Sequence, residues 1–161
     1  MSDHSVTSPK SKTVSTWLAL LLGSLGLHRF YLYGLKDLWG WLHIPPTLLG
    51  LQGLHRMETL GQDDRLSWLL MPMLGLSLAA AMLSAIIYGL TPDEKWQEQH
   101  NPGLPGRPSG WGAIIGVVLS LLIGGAVLMS TIAFSAQRYF ELQAETAASA
   151  SDAHHLAPTQ K

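Results

Sequence analysis

Cysteine is absent from the 161-residue chain, which removes disulfides, thiolate chemistry and S-acylation together. Charge is scarce as well. Asp, Glu, Lys and Arg make up 13% of the residues, against about 25% in an average soluble domain. The formal net charge of −1 leaves neither a basic patch for nucleic acid nor an acidic tail. No serine, aspartate or lysine stands beside a plausible base, and no His/Cys/Asp/Glu cluster has metal-ligand spacing, so neither catalysis nor a metal or cofactor is expected.

The missing charge is concentrated in four stretches. None of the four charged residue types occurs between Lys12 and Arg29, Asp37 and Arg56, Arg65 and Asp93, or Arg107 and Arg138, gaps of 16, 18, 27 and 30 residues. A soluble helix of such length would turn a charged face to water, whereas a helix crossing a bilayer needs about 20 mostly apolar residues. The expectation is an all-α integral membrane protein of about four transmembrane helices arranged as two helical hairpins. The six tryptophans, at 17, 39, 41, 68, 96 and 111, all fall near proposed segment ends, where amphipathic rings collect at the headgroup level.

Residues 1–12 read as a disordered tail, because they contain little to bury. Segment one begins near Val14 and must run through His28 to Tyr33 to cross; a re-entrant or tilted segment is the alternative. Segment two, Leu38 to Leu54, contains Pro45-Pro46, whose missing N–H groups require a kink or break. His55 to Arg65 reads as a polar connection. Segment three is Leu66 to Leu90. Thr91, Pro92 and Glu94 then form a capping-box pattern that predicts a short interfacial helix over about 92–99. A Pro/Gly-rich linker leads to segment four, which starts at Trp111 and continues as a polar helix to about 145, followed by a disordered tail over 146–161. The expected division is 13–57 as one two-helix module and 58–145 as a second helix pair. Four crossings put both termini on one side, assigned to the cytoplasm.

Small residues recur every fourth position in two segments: Ser77, Ala81, Ala85 and Gly89 in segment three, and Gly112, Gly116, Ser120 and Gly124 in segment four. Such rows form smooth ridges for close backbone approach and predict either a three-against-four hairpin or self-association.

The string Gly23-Ser24-Leu25-Gly26-Leu27-His28-Arg29-Phe30-Tyr31-Leu32-Tyr33-Gly34 resembles the TM2 domain, a two-helix membrane module, over residues 12 to about 57. The resemblance implies a membrane location and no agreed biochemical activity. Tyr33 is inserted before Gly34 relative to the family pattern, and Pro45-Pro46 interrupts a second helix that is normally continuous. His28 stands where eukaryotic relatives carry Asp, so the coupling role likened to a receptor motif does not transfer. From chemistry alone, Gly23 and Gly26 permit close helix approach, and Gly34 permits a turn with positive φ. Arg29 can reach phosphates or helix-end carbonyls. Phe30 and Tyr31 suit the interface. These residues are the candidate site for a lipid headgroup or partner.

The functional expectation is a structural, interaction or accessory protein of a bacterial plasma (inner) membrane, in contact with the lipid bilayer and with another membrane protein or a second copy. The alternative is a small transporter or channel with a site near the Pro45-Pro46 break, where His43 and Gln52 lie. Bis-histidine haem is disfavoured, since His28 and His55 sit near segment ends while His43 is mid-segment, and His154-His155 falls in the tail.

Overall fold

The computed structural model describes residues 9–106 and 108–156, with side chains as far as 151. All regular structure among the described residues is helical: α1 (Lys12–Leu22), α2 (Leu27–Tyr33), α3 (Leu38–Leu42), α4 (Ile44–Leu60), α5 (Arg65–Leu90), α6 (Asp93–His100) and α7 (Trp111–Leu156), with a 3₁₀ turn over Gly23–Leu25. Two of these, α5 and α7, are long and apolar enough to cross a membrane.

These two helices form the spine. They pack antiparallel, with Gly89 against Val117, Met82 against Gly124 and Gly75 against Thr131. A Cβ at Gly124 would come within 2.7 Å of Met82 Cβ, so the helix axes approach closely because a side chain is missing there. Antiparallel to α5 on another face runs α4, with Gly53 against Leu70 and Thr47 bonded to Ser77 Oγ at 2.7 Å.

Segment one does not run on as a single helix. Gly26, at φ 74°, ends the 3₁₀ turn in the left-handed region that favours glycine, and α2 then returns along α1. The return is fixed at its far end. The Tyr31 hydroxyl accepts from Ser11 N–H at 3.0 Å, and the Lys10 ammonium donates to the Leu32 carbonyl. Eleven residues of α1 descend about 16 Å at 1.5 Å each, so a chain that meets Lys10 again at Leu32 must have doubled back. Apolar composition reports the surroundings of a segment and not its direction, which is why Val14–Tyr33 reads as a crossing.

The hairpin sits in the upper half of the α5–α7 groove. Thr13 meets Gly112, Thr16 meets Gly116 and Gly89, and Gly23 meets Ala81, where an added Cβ would lie 2.7 Å from the alanine Cβ. Ala19, Leu20, Met82 and Ala85 make the buried core there. The two small-residue rows are therefore divided. Gly124 and Gly89 serve α5–α7 contact, Gly112 and Gly116 seat α1, Ala81 seats the 3₁₀ turn, and Ser77 holds α4. Ser120 is buried and turns its hydroxyl back onto the Gly116 carbonyl at 2.7 Å.

Several boundaries differ from the sequence reading. The polar connection expected over His55–Arg65 shrinks to four residues, because α4 continues to Leu60. The break at Pro45-Pro46 is present: α3 ends, His43 is the junction, and the prolines occupy the first turn of α4, where their absent N–H groups are not needed. The capping box at Thr91 does not form. Thr91 Oγ1 donates to the Ile87 carbonyl at 2.7 Å, and Pro92 is the N-cap of α6 without a side-chain cap.

The last helix persists past residue 145 to Leu156, where Ala144, Ala147, Ala148 and Ala150 supply high helix propensity; the rest of the expected tail lies outside the described residues. At the other end, residues 9–11 are pinned rather than loose. Asn101 accepts from the Lys10 N–H at 2.7 Å and donates to its carbonyl at 3.0 Å, and buried Trp96 donates to the same carbonyl at 2.9 Å. Residues 1–8 lie outside the described residues.

Candidate functional site

The Gly23–Gly34 string forms the lower turn and ascending limb of the α1–α2 hairpin. Of its polar side chains His28 is buried, Ser24, Arg29 and Tyr31 are partly buried, and Tyr33 is exposed. His28 is fully buried, with its ring centroid 5.4 Å from that of His43 in an edge-on arrangement and 5.7 Å from that of Tyr88. Neither ring nitrogen has a hydrogen-bond partner among the described residues, an unusual state for a buried polar group. His43 Nδ1 lies 2.7 Å from the Trp39 carbonyl, an acceptor only, so Nδ1 is the nitrogen that donates. Below them Thr47 Oγ1 is 2.7 Å from the Ser24 carbonyl and 2.9 Å from the His43 carbonyl.

Arg29 is paired within the turn. Its Nε and Nη2 donate to Asp37 at 2.6 and 3.2 Å, and its guanidinium lies 4.9 Å from the Tyr33 ring centroid. Asp37 also accepts from Gly40 N–H at 2.9 Å and so caps α3. Phe30 packs on Gly40 and lies 5.3 Å, centroid to centroid, from Trp41. The Tyr31 hydroxyl is engaged with the N-terminal strand of chain, and Gly34, at φ 82°, returns its N–H to the Phe30 carbonyl.

The same construction occurs a second time. Residues 50–69 repeat residues 23–42 at an offset of 27, as G-x-x-G-L-H-R-x-x-x-x-G-x-x-D-x-x-[G/S]-W-L, with nine of twenty positions identical. Arg56 donates to Asp64 at 2.9 Å through both Nε and Nη2. Asp64 caps α5 by accepting from Ser67 N–H at 3.1 Å, and Gly61, at φ 92°, returns its N–H to the Met57 carbonyl. Trp68 Nε1 donates to the Gln62 carbonyl at 2.7 Å, as Trp41 does to the equivalent Leu35 carbonyl at 2.9 Å. Each copy is a clasp that closes a helix–turn–helix. It is readable in the sequence as a self-match of G-x-x-G-L-H-R.

Three carboxylates outside the long helices are held ionised by these contacts. Asp37 is lowered by the Arg29 hydrogen bond, and Asp64 by those from Arg56 and then Ser67. Asp93 is lowered to about 2 by Lys12, 2.6 Å away, and then by Ser109. No group of three or more metal-ligating side chains is found among the described residues. Neither a family model, nor a curated protein, nor a solved structure matches this chain.

Proposed function

We propose that the chain is a multi-pass membrane protein acting through contacts within the bilayer, as a structural or accessory partner of another membrane protein, with a bacterial inner membrane as its location. The observation that carries this reading is the poor burial of the spine. Only 22% of the most apolar stretch of α5 and 28% of that of α7 is buried inside the molecule, and Leu69, Leu76, Leu83, Leu90, Leu121, Leu122 and Met129 are each more than half exposed. An apolar surface of this extent on a solitary soluble chain would aggregate; hydrocarbon satisfies it, and helices leave no backbone group unpaired there.

In this reading the passages are three, the broken α3–α4 unit, α5 and α7, with α1–α2 entering and leaving on one side, so the two ends of the described chain lie on opposite faces. The TM2-like string is then an internal brace. Extraction should require detergent and resist alkaline carbonate, and affinity purification from native membranes in a mild detergent should recover a partner at fixed stoichiometry. A strictly solitary monomer would count against the accessory role.

A transport reading has one observation in its favour: unpartnered His28 meets His43 where a re-entrant hairpin touches a broken helix, the kind of place where transporters bind solute or ions. Liposome flux that disappears in both His28→Ala and His43→Ala would favour it over the accessory role.

A further inference from the structure

The hairpin fills only the upper half of the α5–α7 groove. Below the level of Ala81 the groove stays open as an apolar cavity of about 500 Å³ between α4, α5 and α7, lined among others by Leu54, Leu74, Gly75, Ala126, Thr131 and Phe134. That volume falls within the range of about 300–1,000 Å³ typical of small-molecule sites. At its lower end the cavity runs into a polar rim. Pro72 lines both the cavity and the adjoining depression, which is bounded by Arg65, Trp68, Arg138 and Tyr139.

The rim is an array of opposite charges. Arg138 stacks on Trp68 at 4.7 Å and on Phe134 at 5.4 Å, and pairs with Glu141. Its side chain is 12% exposed and its Nε, buried, has no hydrogen-bond partner, so a donor is left unsatisfied at the mouth of an apolar groove. Arg65 pairs with Glu145 at 3.1 Å, both largely exposed, and Asp63 borders the same surface.

A ligand fitting both parts must be apolar along its length and must carry, at one end, an anion for the arginines and a cation for the carboxylates. A purely anionic head would meet Asp63, Glu141 and Glu145, which outnumber the two arginines. A quaternary ammonium could not donate hydrogen bonds to carboxylates, whereas a primary ammonium can. We propose that the open half of this groove holds one acyl chain of a zwitterionic phospholipid of the phosphatidylethanolamine type, its phosphate on Arg138 and Arg65 and its ammonium on Glu141 and Glu145. The proposal rests on the membrane reading above.

The test is native mass spectrometry of the full chain, purified in a non-phospholipid detergent. The protein is offered equimolar phosphatidylethanolamine, phosphatidylglycerol and phosphatidylcholine with identical acyl chains. The ethanolamine adduct should dominate by about tenfold, the ratio that one extra hydrogen bond to a charged group supports. Glu141→Gln with Glu145→Gln should turn the preference towards the glycerol lipid. Arg138→Gln should reduce retention of all three, and Ala126→Phe, which fills the groove without touching the rim, should do the same. Equal retention of the three lipids by the unaltered protein, a preference for the glycerol lipid, or an adduct indifferent to both Arg138→Gln and Ala126→Phe would overturn the proposal. A chain that is monodisperse without any amphiphile would instead overturn the membrane reading itself, so the two failures are told apart.

Discussion

The two clasps use the same residues to opposite ends. In the first copy Gly26 takes a left-handed conformation and the chain doubles back; in the second, the equivalent Gly53 lies inside the continuous helix α4. His28 is fully buried, while the equivalent His55 is exposed. The Arg–Asp pair, the aspartate cap, the positive-φ glycine and the indole-to-carbonyl bond persist in both. What is common is therefore what a tight helix–turn–helix needs, and what differs, the hairpin and the burial of His28, is not imposed by the turn.

The comparison can be broken most sharply at the glycines. Gly26→Val should be the most damaging substitution: φ 74° penalises any side chain, and its Cβ would collide with the Gly40 carbonyl. A loss of about 2–4 kcal/mol combines strained backbone with overpacking. Gly53→Ala should cost less, about 1–3 kcal/mol, because its helical backbone accepts a side chain and the cost is the clash alone, with Leu70 Cβ at 2.6 Å and Met71 N at 2.9 Å. Thermal unfolding in micelles, followed by helical circular dichroism, ranks the two; equal losses would mean that the backbone difference at these glycines is energetically idle.

The histidines come next. His28→Ala should destabilise by about 2–3 kcal/mol through the cavity it opens, and His55→Ala should change stability by less than about 0.5 kcal/mol. Similar effects at both sites, measured in the same unfolding assay, would contradict the burial contrast.

The clasps themselves should respond alike. Asp37→Asn and Asp64→Asn each remove a bidentate ion pair while leaving an oxygen that can still cap the helix, so each should lower Tm by about 2–4 °C, and the double variant by nearly the sum, since the sites share no partner. A large drop in only one would show that the two clasps are not equivalent supports.

The mildest perturbation is acid. Asp37, Asp64 and Asp93 all titrate below their ordinary value near 3.8 in the folded chain, Asp93 at about 2. Their stabilisation is complete above the unfolded value and is lost as pH falls through about 4 towards 2. Trp96, which holds the Lys10 carbonyl beside the Lys12–Asp93 pair, should report this by fluorescence. A signal flat from pH 5 to 2 would mean that the pair does not secure the N-terminal strap.

Much of the architecture was legible because it follows from composition. The limits of α5, the short helix after Pro92, the start of α7 at Trp111 and the break at Pro45-Pro46 each rest on a local signal: a charge gap, a punctuating proline or an interfacial indole. The hairpin entered the sequence reading only as the re-entrant or tilted alternative to a crossing. Leu27–Tyr33 reads as the continuation of an apolar helix, and the reversal depends on one glycine's φ and on Lys10 and Ser11 meeting Leu32 and Tyr31 across the fold. Arg29's ion pair was not legible for a related reason. Its partner, Asp37, is eight residues away across a turn, beyond the three- and four-residue spacing by which helix neighbours are recognised.

Helix α7 has 46 residues, about 69 Å at 1.5 Å per residue, whereas a bilayer with its headgroups spans about 40–45 Å. In a membrane the Ala-rich end would stand clear of the lipid as a mast some 25 Å tall, its exposed Arg65–Glu145 tie acting as a stay at its foot. Anything grasping that mast would be held at a set height above the surface, and a protease acting from that side should trim the chain there first, leaving the spine intact.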